Sequence, residues 1–564
     1  MLPQSYVHGV SDVPLLGLTV GGALDQTAKR LPDREALVVH HQGIRWTWAE
    51  LNRRVDALAA GLIALGLEPG DRVGILSPNN AEWVVVQFAT AKAGLILVNI
   101  NPAYRGPELE YALNKVGCKA LIMVPAFKSS DYTAMLRELA PELESCSPGG
   151  LKAARLPDLR IAILLGDGET PGMYDYAGVP AMAAPTHRRR LVEVSARLQF
   201  DDPINIQFTS GTTGTPKAAT LTHHNIVNNA YFSARIMSFS ERDRLCVPVP
   251  MYHCFGMVLG TLLAVTHGAT IVFPSAGFDA GAVLTVVEAE RCTALHGVPT
   301  MFIAALDHPD FAKHDLTSLR TGIMAGAPCP EALMRRVMDD MHMTQVTIGY
   351  GMTETGPLSF QTSIDDPVEQ RVATVGRVMP HTEVKIVDTD GRVLPIGERG
   401  ELLTRGYCVM PGYWADPERT AKEVDAAHWI RSGDIAMLDG DGYCRIVGRI
   451  KDMVIRGGEN IYPREIEEFL YTNPKIDEVE VFGVPDPKYG EEVAAWIKLH
   501  EGATANTDEI RAYCEGHLAH FKIPRHIKFV EEFPMTVTGK VQKFVMRERM
   551  AEELAHDEAA TEPV

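Results

Sequence analysis

Thr209-Ser210-Gly211-Thr212-Thr213-Gly214-Thr215-Pro216-Lys217 follows the apolar run Ile204-Asn205-Ile206-Gln207-Phe208. The run reads as a strand that ends where glycines, hydroxyls and one ammonium begin. Gly211 and Gly214 permit positive φ and let backbone N–H groups turn inward, while the hydroxyls and Lys217 supply the donors that phosphate oxygens need. A plain surface turn uses the same residue types, so the stretch is a candidate phosphate loop at the end of a strand. It is not a Walker A loop, which requires Gly-Lys-Ser/Thr opening into a helix. Pro216 also pushes Thr215 away from helical angles.

Upstream, the pattern predicts a doubly wound α/β fold. Thr47-Trp48-Ala49-Glu50 has capping-box spacing, and Leu51, Val55, Leu58, Leu62 and Leu65 recur on one helical face until Gly66 and Pro69-Gly70 stop it. Val73–Leu76, Leu95–Ile100 and Ala120–Val124 are short apolar runs separated by helix-length segments, the alternation of a parallel sheet with crossover helices. Between Ser145 and Arg190 the periodicity fades, which predicts a surface excursion around one strand, Arg160–Leu165.

Downstream, Val249-Pro250-Met251-Tyr252-His253 leads into the apolar run Cys254–Val265. That run is too short for a membrane span of roughly 20 residues and suits a buried helix. Gly322-Ile323-Met324-Ala325-Gly326-Ala327-Pro328 and Ile348-Gly349-Tyr350-Gly351-Met352-Thr353-Glu354-Thr355 are apolar runs ending in small or polar residues, the place where α/β sheets bind ligands. Pro463 opens a helix whose first turn carries Glu465, Glu467 and Glu468, acids that the helix dipole accounts for. The acidic, alanine-rich stretch from Ala551 to Val564 reads as a frayed tail.

Phe208 to Lys217, continued by Ala218-Ala219-Thr220-Leu221-Thr222-His223-His224-Asn225, resembles the phosphate loop of the acyl-adenylate-forming enzymes, which include acyl-CoA synthetases, adenylation domains and luciferases. Ala218 departs from the usual glycine, so that position should not need positive φ. Further motifs of the same superfamily follow in order: Trp429-Ile430-Arg431-Ser432-Gly433-Asp434, Gly448-Arg449-Ile450-Lys451-Asp452, Gly457-Gly458-Glu459-Asn460-Ile461-Tyr462-Pro463, and Thr538-Gly539-Lys540-Val541-Gln542-Lys543. The resemblance implies a large N-terminal domain of doubly wound sheets, residues 1–450, and a small mobile α+β domain, residues 451–564, joined by a hinge at Lys451.

It also implies roles. Thr209 through Lys217 would cradle phosphate. Gly326, Ala327 and Pro328 would flank adenine, with the Tyr350 ring stacked on it. Thr353 would bond the α-phosphate and Glu354 would hold Mg²⁺, a cation that prefers one or two carboxylates with phosphate oxygens. Asp434, an acceptor-only group, would take both ribose hydroxyls, and Arg449 would face ribose and phosphate. Lys540 is the catalytic position, Gly457, Gly458 and Glu459 form the face for the thiol step, and Lys543 is expected to face solvent. His253 either lines the acyl pocket or supports it from behind. The implied reaction joins a carboxylic acid to coenzyme A through an acyl-adenylate, with ATP and Mg²⁺. The residues Ala219 to Asn229 look most similar to a medium-chain fatty acyl-CoA ligase branch. Other small acids (aromatic, branched or sulfur-containing) and a carrier-protein-loading adenylation enzyme are the alternatives.

Composition narrows the partners. The formal charge is −18, and no Lys/Arg block extends beyond Arg188-Arg189-Arg190, which argues against nucleic acid. Nine cysteines without Cys-x-x-Cys spacing fit a reduced cytoplasm. No transmembrane anchor is expected, and a homodimer is compatible with the sequence.

Overall fold

The protein is described from a computed structural model covering residues 3–166, 170–209, 216–327, 329–457, 459–535 and 541–561, with side chains to 554. The chain divides into two compact units. The larger holds Val7–Val384 and Thr404–Ile430, and the smaller holds Met1–Tyr6, Lys385–Leu403 and Arg431–Val564. The division falls inside the strands Thr382–Val387, Gly400–Gly406 and Ile430–Leu438, not in a loop.

The larger unit is built on two sheets. In the eight-stranded sheet, Arg72–Leu76 lies between Cys118–Met123 and Ile96–Asn99, all parallel, so the chain winds first to one side and then to the other. Pro203–Thr209 adds parallel to Ile96–Asn99, and Lys217–Thr222 returns antiparallel beside it. The nine-stranded sheet runs parallel from Gln345–Gly351 through Thr321–Ala325 to Glu35–Val39, with antiparallel strands at both edges. The helix Ala81–Lys92 is buried all round, as a helix enclosed by apolar neighbours must be. One apolar core includes this helix, the helix His223–Ile236 and side chains of both sheets.

The expected helix spans Trp48–Ala64, with the Thr47 hydroxyl accepting from the Glu50 N–H at 3.2 Å and Leu51, Val55, Leu58 and Leu62 buried. The segment 145–190 is less of an excursion than its composition predicts. Tyr174–Asp175 extends the sheet beside Ile161–Leu164, Val179 is fully buried in a 3₁₀ turn packed on the helix Trp48–Ala64, and a helix starts at Pro185. Its prolines and glycines erase periodicity without preventing burial. In the smaller unit, Ile476–Asp486, Gly490–Leu499, Val454–Arg456, Glu459–Ile461 and His526–Phe529 form a sheet. It packs with the helices Pro463–Leu470 and Thr507–Cys514 around Val454, Ile466, Leu470, Val481 and Ile497. Among the described residues, no helix is long and apolar enough to cross a membrane.

Candidate active site

The strands Pro203–Thr209 and Lys217–Thr222 pair so that Thr209 lies opposite Lys217. The proposed phosphate loop therefore springs from a closed two-strand stem. Its central residues Ser210, Gly211, Thr212, Thr213, Gly214 and Thr215 lie outside the described residues. At its rear, the Tyr111 hydroxyl donates to the Pro216 carbonyl at 3.1 Å. Ala218 is ordinary buried strand paired with Phe208, so the expected absence of a glycine-only conformation there holds.

Glu354 sits in a 3₁₀ turn, Thr353–Thr355, immediately after the strand Gln345–Gly351. Its carboxylate is buried, and Oε1 accepts from the Thr209 hydroxyl at 3.1 Å and from the Tyr413 hydroxyl at 2.9 Å. Lys217 pairs with Glu423 at 2.7 Å, and its ammonium stands 5.3 Å from the centre of the Tyr413 ring. Burial, and then the Glu354 charge, push the Tyr413 phenol far above its ordinary range, so it remains a donor. Tyr413 and Glu423 escaped the sequence reading. They come from a two-residue strand and the short helix Pro417–Glu423, elements with no periodicity to flag them.

The adenine candidates lie together. Ala325 pairs with Gly349 near the ends of parallel strands, which places Gly326 just beyond one strand tip and Tyr350 in the last residues of the neighbouring strand. Gly326 has φ +91°, a conformation that side-chain-bearing residues rarely adopt, and Ala327 beside it is exposed. Pro328 lies outside the described residues. Thr353 is buried, with its hydroxyl 3.8 Å from the Cys254 sulfur.

His253 caps the helix that follows it: Nδ1 accepts from the Phe255 N–H at 3.1 Å. That helix widens into a π turn over Met257–Leu262 before closing again as Leu263–His267, a local expansion that is rare and concentrated at functional sites. Side chains cover its carbonyls, two of them from elsewhere in the chain. The Met257 carbonyl accepts from Gln87 Nε2 at 3.2 Å and from the Thr261 hydroxyl at 2.6 Å, and the Leu259 carbonyl lies 3.1 Å from His296 Nε2. Because Nδ1 of His296 accepts from the Ile323 N–H at 3.1 Å, the ring proton is on Nε2 and is donated to Leu259. Burial pushes this histidine down to about 4, so it is neutral at pH 7. His296 also borders a small apolar cavity with Phe278, Leu295, Met301 and Phe302.

In the smaller unit, Asp434 and Arg449 are opposite partners in a β-hairpin, with Nε of Arg449 at 3.1 Å from Oδ1 of Asp434. Ser432 prepares this strand end by donating to the Leu402 carbonyl at 2.7 Å and accepting from the Asp434 N–H at 3.0 Å. Lys451 is exposed in the 3₁₀ turn Ile450–Asp452. Gly457 has φ +59° and donates its N–H to the Tyr489 carbonyl at 2.9 Å, while Glu459 is exposed at the start of an edge strand. Gly458 and Lys540 lie outside the described residues. The chain on either side of 536–540 is tied together by a Met535–Val541 bridge and by the Gln542 N–H donating to the Pro534 carbonyl at 2.7 Å.

Lys543 does not face solvent as expected. Its ammonium meets Glu467 at 2.5 Å, Glu480 at 2.9 Å and the Val481 carbonyl at 3.0 Å. Glu467 is more than a dipole-favoured acid, since it also accepts from the Val481 N–H at 2.8 Å. Burial opposes the charge on Lys543, but the two carboxylates more than offset that and raise its pKa.

Among the described residues, no group of three or more His, Cys, Asp or Glu side chains is placed to hold a metal. The donor set around Glu354, one carboxylate beside a threonine hydroxyl, instead fits a hard cation that arrives with phosphate oxygens.

An α/β unit with a phosphate-loop stem beside a buried carboxylate, followed by a small α+β unit, is the architecture of an adenylate-forming enzyme. The chain belongs to the AMP-binding enzyme family: residues 24–414 match the AMP-binding enzyme model, and residues 465–540 match that of its C-terminal domain. It is 51% identical to the mitochondrial medium-chain acyl-CoA ligase ACSF2 of Danio rerio over 98% of this chain and 92% of that protein. Among solved structures, the anthranilate CoA ligase AuaEII in complex with anthranoyl-AMP superposes with a TM-score of 0.84 at 26% identity, over 96% of this chain and 99% of that one. ATP-bound MatB from Rhodopseudomonas palustris superposes with a TM-score of 0.80 at 28% identity, over 95% and 99%.

Proposed function

We propose that this chain is an ATP-dependent acyl-CoA ligase for medium-chain fatty acids. The observation that carries the reading is Glu354, buried and held by Thr209 at the mouth of the Thr209–Lys217 stem. The identity with a relative named as a medium-chain acyl-CoA ligase supports the acid. That relative is named mitochondrial, so the compartment expected from cysteine usage is not carried further.

The acid's carboxylate oxygen attacks the α-phosphorus of ATP, the bond to pyrophosphate breaks, and an acyl-adenylate forms. The coenzyme A sulfur then attacks the acyl carbon, loses its proton, and AMP departs. Activation is needed because a carboxylate oxygen leaves poorly and AMP leaves well. Glu354 would hold Mg²⁺, which when bound neutralises charge on the phosphates. The loop from Thr209 to Lys217 positions those phosphates, so rate comes from preorganised charge rather than a covalent enzyme intermediate. Tyr350, with Gly326 and Ala327, receives adenine; Asp434 and Arg449 receive ribose. Thr353 bonds the α-phosphate. Lys540 serves the adenylation half-reaction, and Gly457, Gly458 and Glu459 serve the thiol half-reaction. Residues 1–450 and 451–564 act as the two functional domains, with Lys451 as their hinge. His253 supports the acyl pocket from its capping position.

A panel of acids scored for pyrophosphate release, with and without coenzyme A, tests the reading. Each methylene that finds apolar contact contributes about 0.8 kcal/mol, roughly fourfold in kcat/KM. Specificity should therefore climb with chain length and then fall. A flat profile from acetate to decanoate, or a preference for aromatic acids, would overturn the choice of substrate.

A further inference from the structure

Among the described residues, the two hydrogen bonds to the Glu354 carboxylate land on one oxygen. The Tyr413 hydroxyl at 2.9 Å and the Thr209 hydroxyl at 3.1 Å share Oε1. Two donors on a single oxygen fix the plane of the group and leave the lone pairs of Oε2 to another partner. The ring of the same tyrosine is also used: the Lys217 ammonium lies 5.3 Å from the ring centre, steered there by Glu423 at 2.7 Å. A cation over an aromatic face draws charge from the ring, which makes the phenol O–H a stronger donor. Tyr413 is thus bonded to the carboxylate and stacked under the phosphate-loop lysine at once, in a side chain only 6% exposed.

We propose that Tyr413 is a positioning residue that orients Glu354 toward the divalent cation of a nucleotide polyphosphate. The proposal rests on the reading of Glu354 as the cation's ligand. Phosphate oxygens compete with Glu423 for Lys217. The Tyr413–Glu354 bond persists through that exchange, so the carboxylate is already oriented when the cation arrives. A nucleotide that brings no polyphosphate and needs no cation makes no demand on Tyr413.

The test is Tyr413→Phe in the full-length protein. Mn²⁺ binding is measured by electron paramagnetic resonance in the presence of α,β-methylene-ATP, AMP binding by calorimetry, and folding by thermal melting. Loss of a hydrogen bond to a charged acceptor should raise the Mn²⁺ Kd about tenfold, with AMP affinity and melting temperature unchanged. In a double-mutant cycle, Tyr413→Phe should add nothing to Glu354→Gln, because the tyrosine acts only through that carboxylate. If Glu354→Gln weakens Mn²⁺ and Tyr413→Phe does not, the positioning role is wrong and the Glu354 reading stands. If neither variant weakens Mn²⁺, the Glu354 reading fails and the positioning role with it. Equal weakening of AMP and Mn²⁺ in Tyr413→Phe would mean a general packing role and would also overturn the proposal.

Discussion

Two lysines in different units are each held by carboxylates, and the difference between them lies in how many acceptors each has. Lys543, in the smaller unit, has three: Glu467, Glu480 and the Val481 carbonyl, all within 3.0 Å. An ammonium has three N–H donors, so this one is saturated. Among the described residues, Lys217, in the larger unit, has the Glu423 carboxylate and the face of Tyr413. A single ion pair whose carboxylate is 32% exposed is a weak commitment. A saturated lysine fastens three elements together, whereas an unsaturated one beside the proposed phosphate loop can change partners.

The largest expected effect breaks the saturated site. Lys543→Ala leaves two carboxylates facing each other without a counter-charge, and removing one partner of a buried ionic cluster should cost about 3 kcal/mol. Urea unfolding, with hydrogen exchange followed in the strand Ile476–Asp486, reads this; a loss below about 1 kcal/mol would put Lys543 in the same class as Lys217. The matching substitution at the exchangeable site should act on function instead. Lys217→Ala is expected to raise the ATP KM about tenfold, the effect of one lost charged hydrogen bond. Its unfolding free energy should move by less than about 1 kcal/mol. A large stability loss with an unchanged ATP KM would reverse the contrast.

The smallest effect is a pH dependence. Burial pushes Glu480 up to about 7, Lys543 pulls it down, and the Glu467 charge adds to the rise. A carboxyl that holds its proton more tightly folded than unfolded stabilises the fold at low pH. That contribution is complete below the ordinary value of 4.5, fades as pH rises through about 7, and is flat above. Urea midpoints measured from pH 5 to pH 8 should show this decline in the smaller unit, and Glu480→Gln should flatten it. An equal slope in the variant would place the titration elsewhere.

The parts of this architecture written in local pattern were legible. The four-three spacing from Leu51 to Leu62 and the cap at Thr47 give the helix that forms, and the short apolar runs at Val73, Leu95 and Ala120 become adjacent parallel strands. Asp434 and Arg449 were singled out only through motifs that resemble the family's, and the structure brings them opposite each other in a hairpin. What escaped depends on chain closure over long distances. Glu354 and Tyr413 are 59 positions apart, and Lys543 and Glu467 are 76 apart. A lysine in a polar stretch looks solvated until its acids are seen. Likewise, Cys254 to Val265 announces a buried helix, but nothing in its apolar run announces the change of hydrogen-bond register, whose support from Gln87 is 170 positions away.

That change of register has a meaning in terms of lineage. A π turn spends one residue more per turn than an α-helix, so in effect it is a single-residue insertion absorbed without breaking the helix. Each residue turns an α-helix by about 100°, and the widened turn takes up that rotation locally, so the helix before Met257 and beyond Leu262 keeps its faces. Gaining or losing one residue between Met257 and Leu262 would re-aim the side chains beside His296 and Phe255 while leaving both sheets as they are. Length change, more than substitution, is the coarse adjustment this helix offers to a diverging lineage.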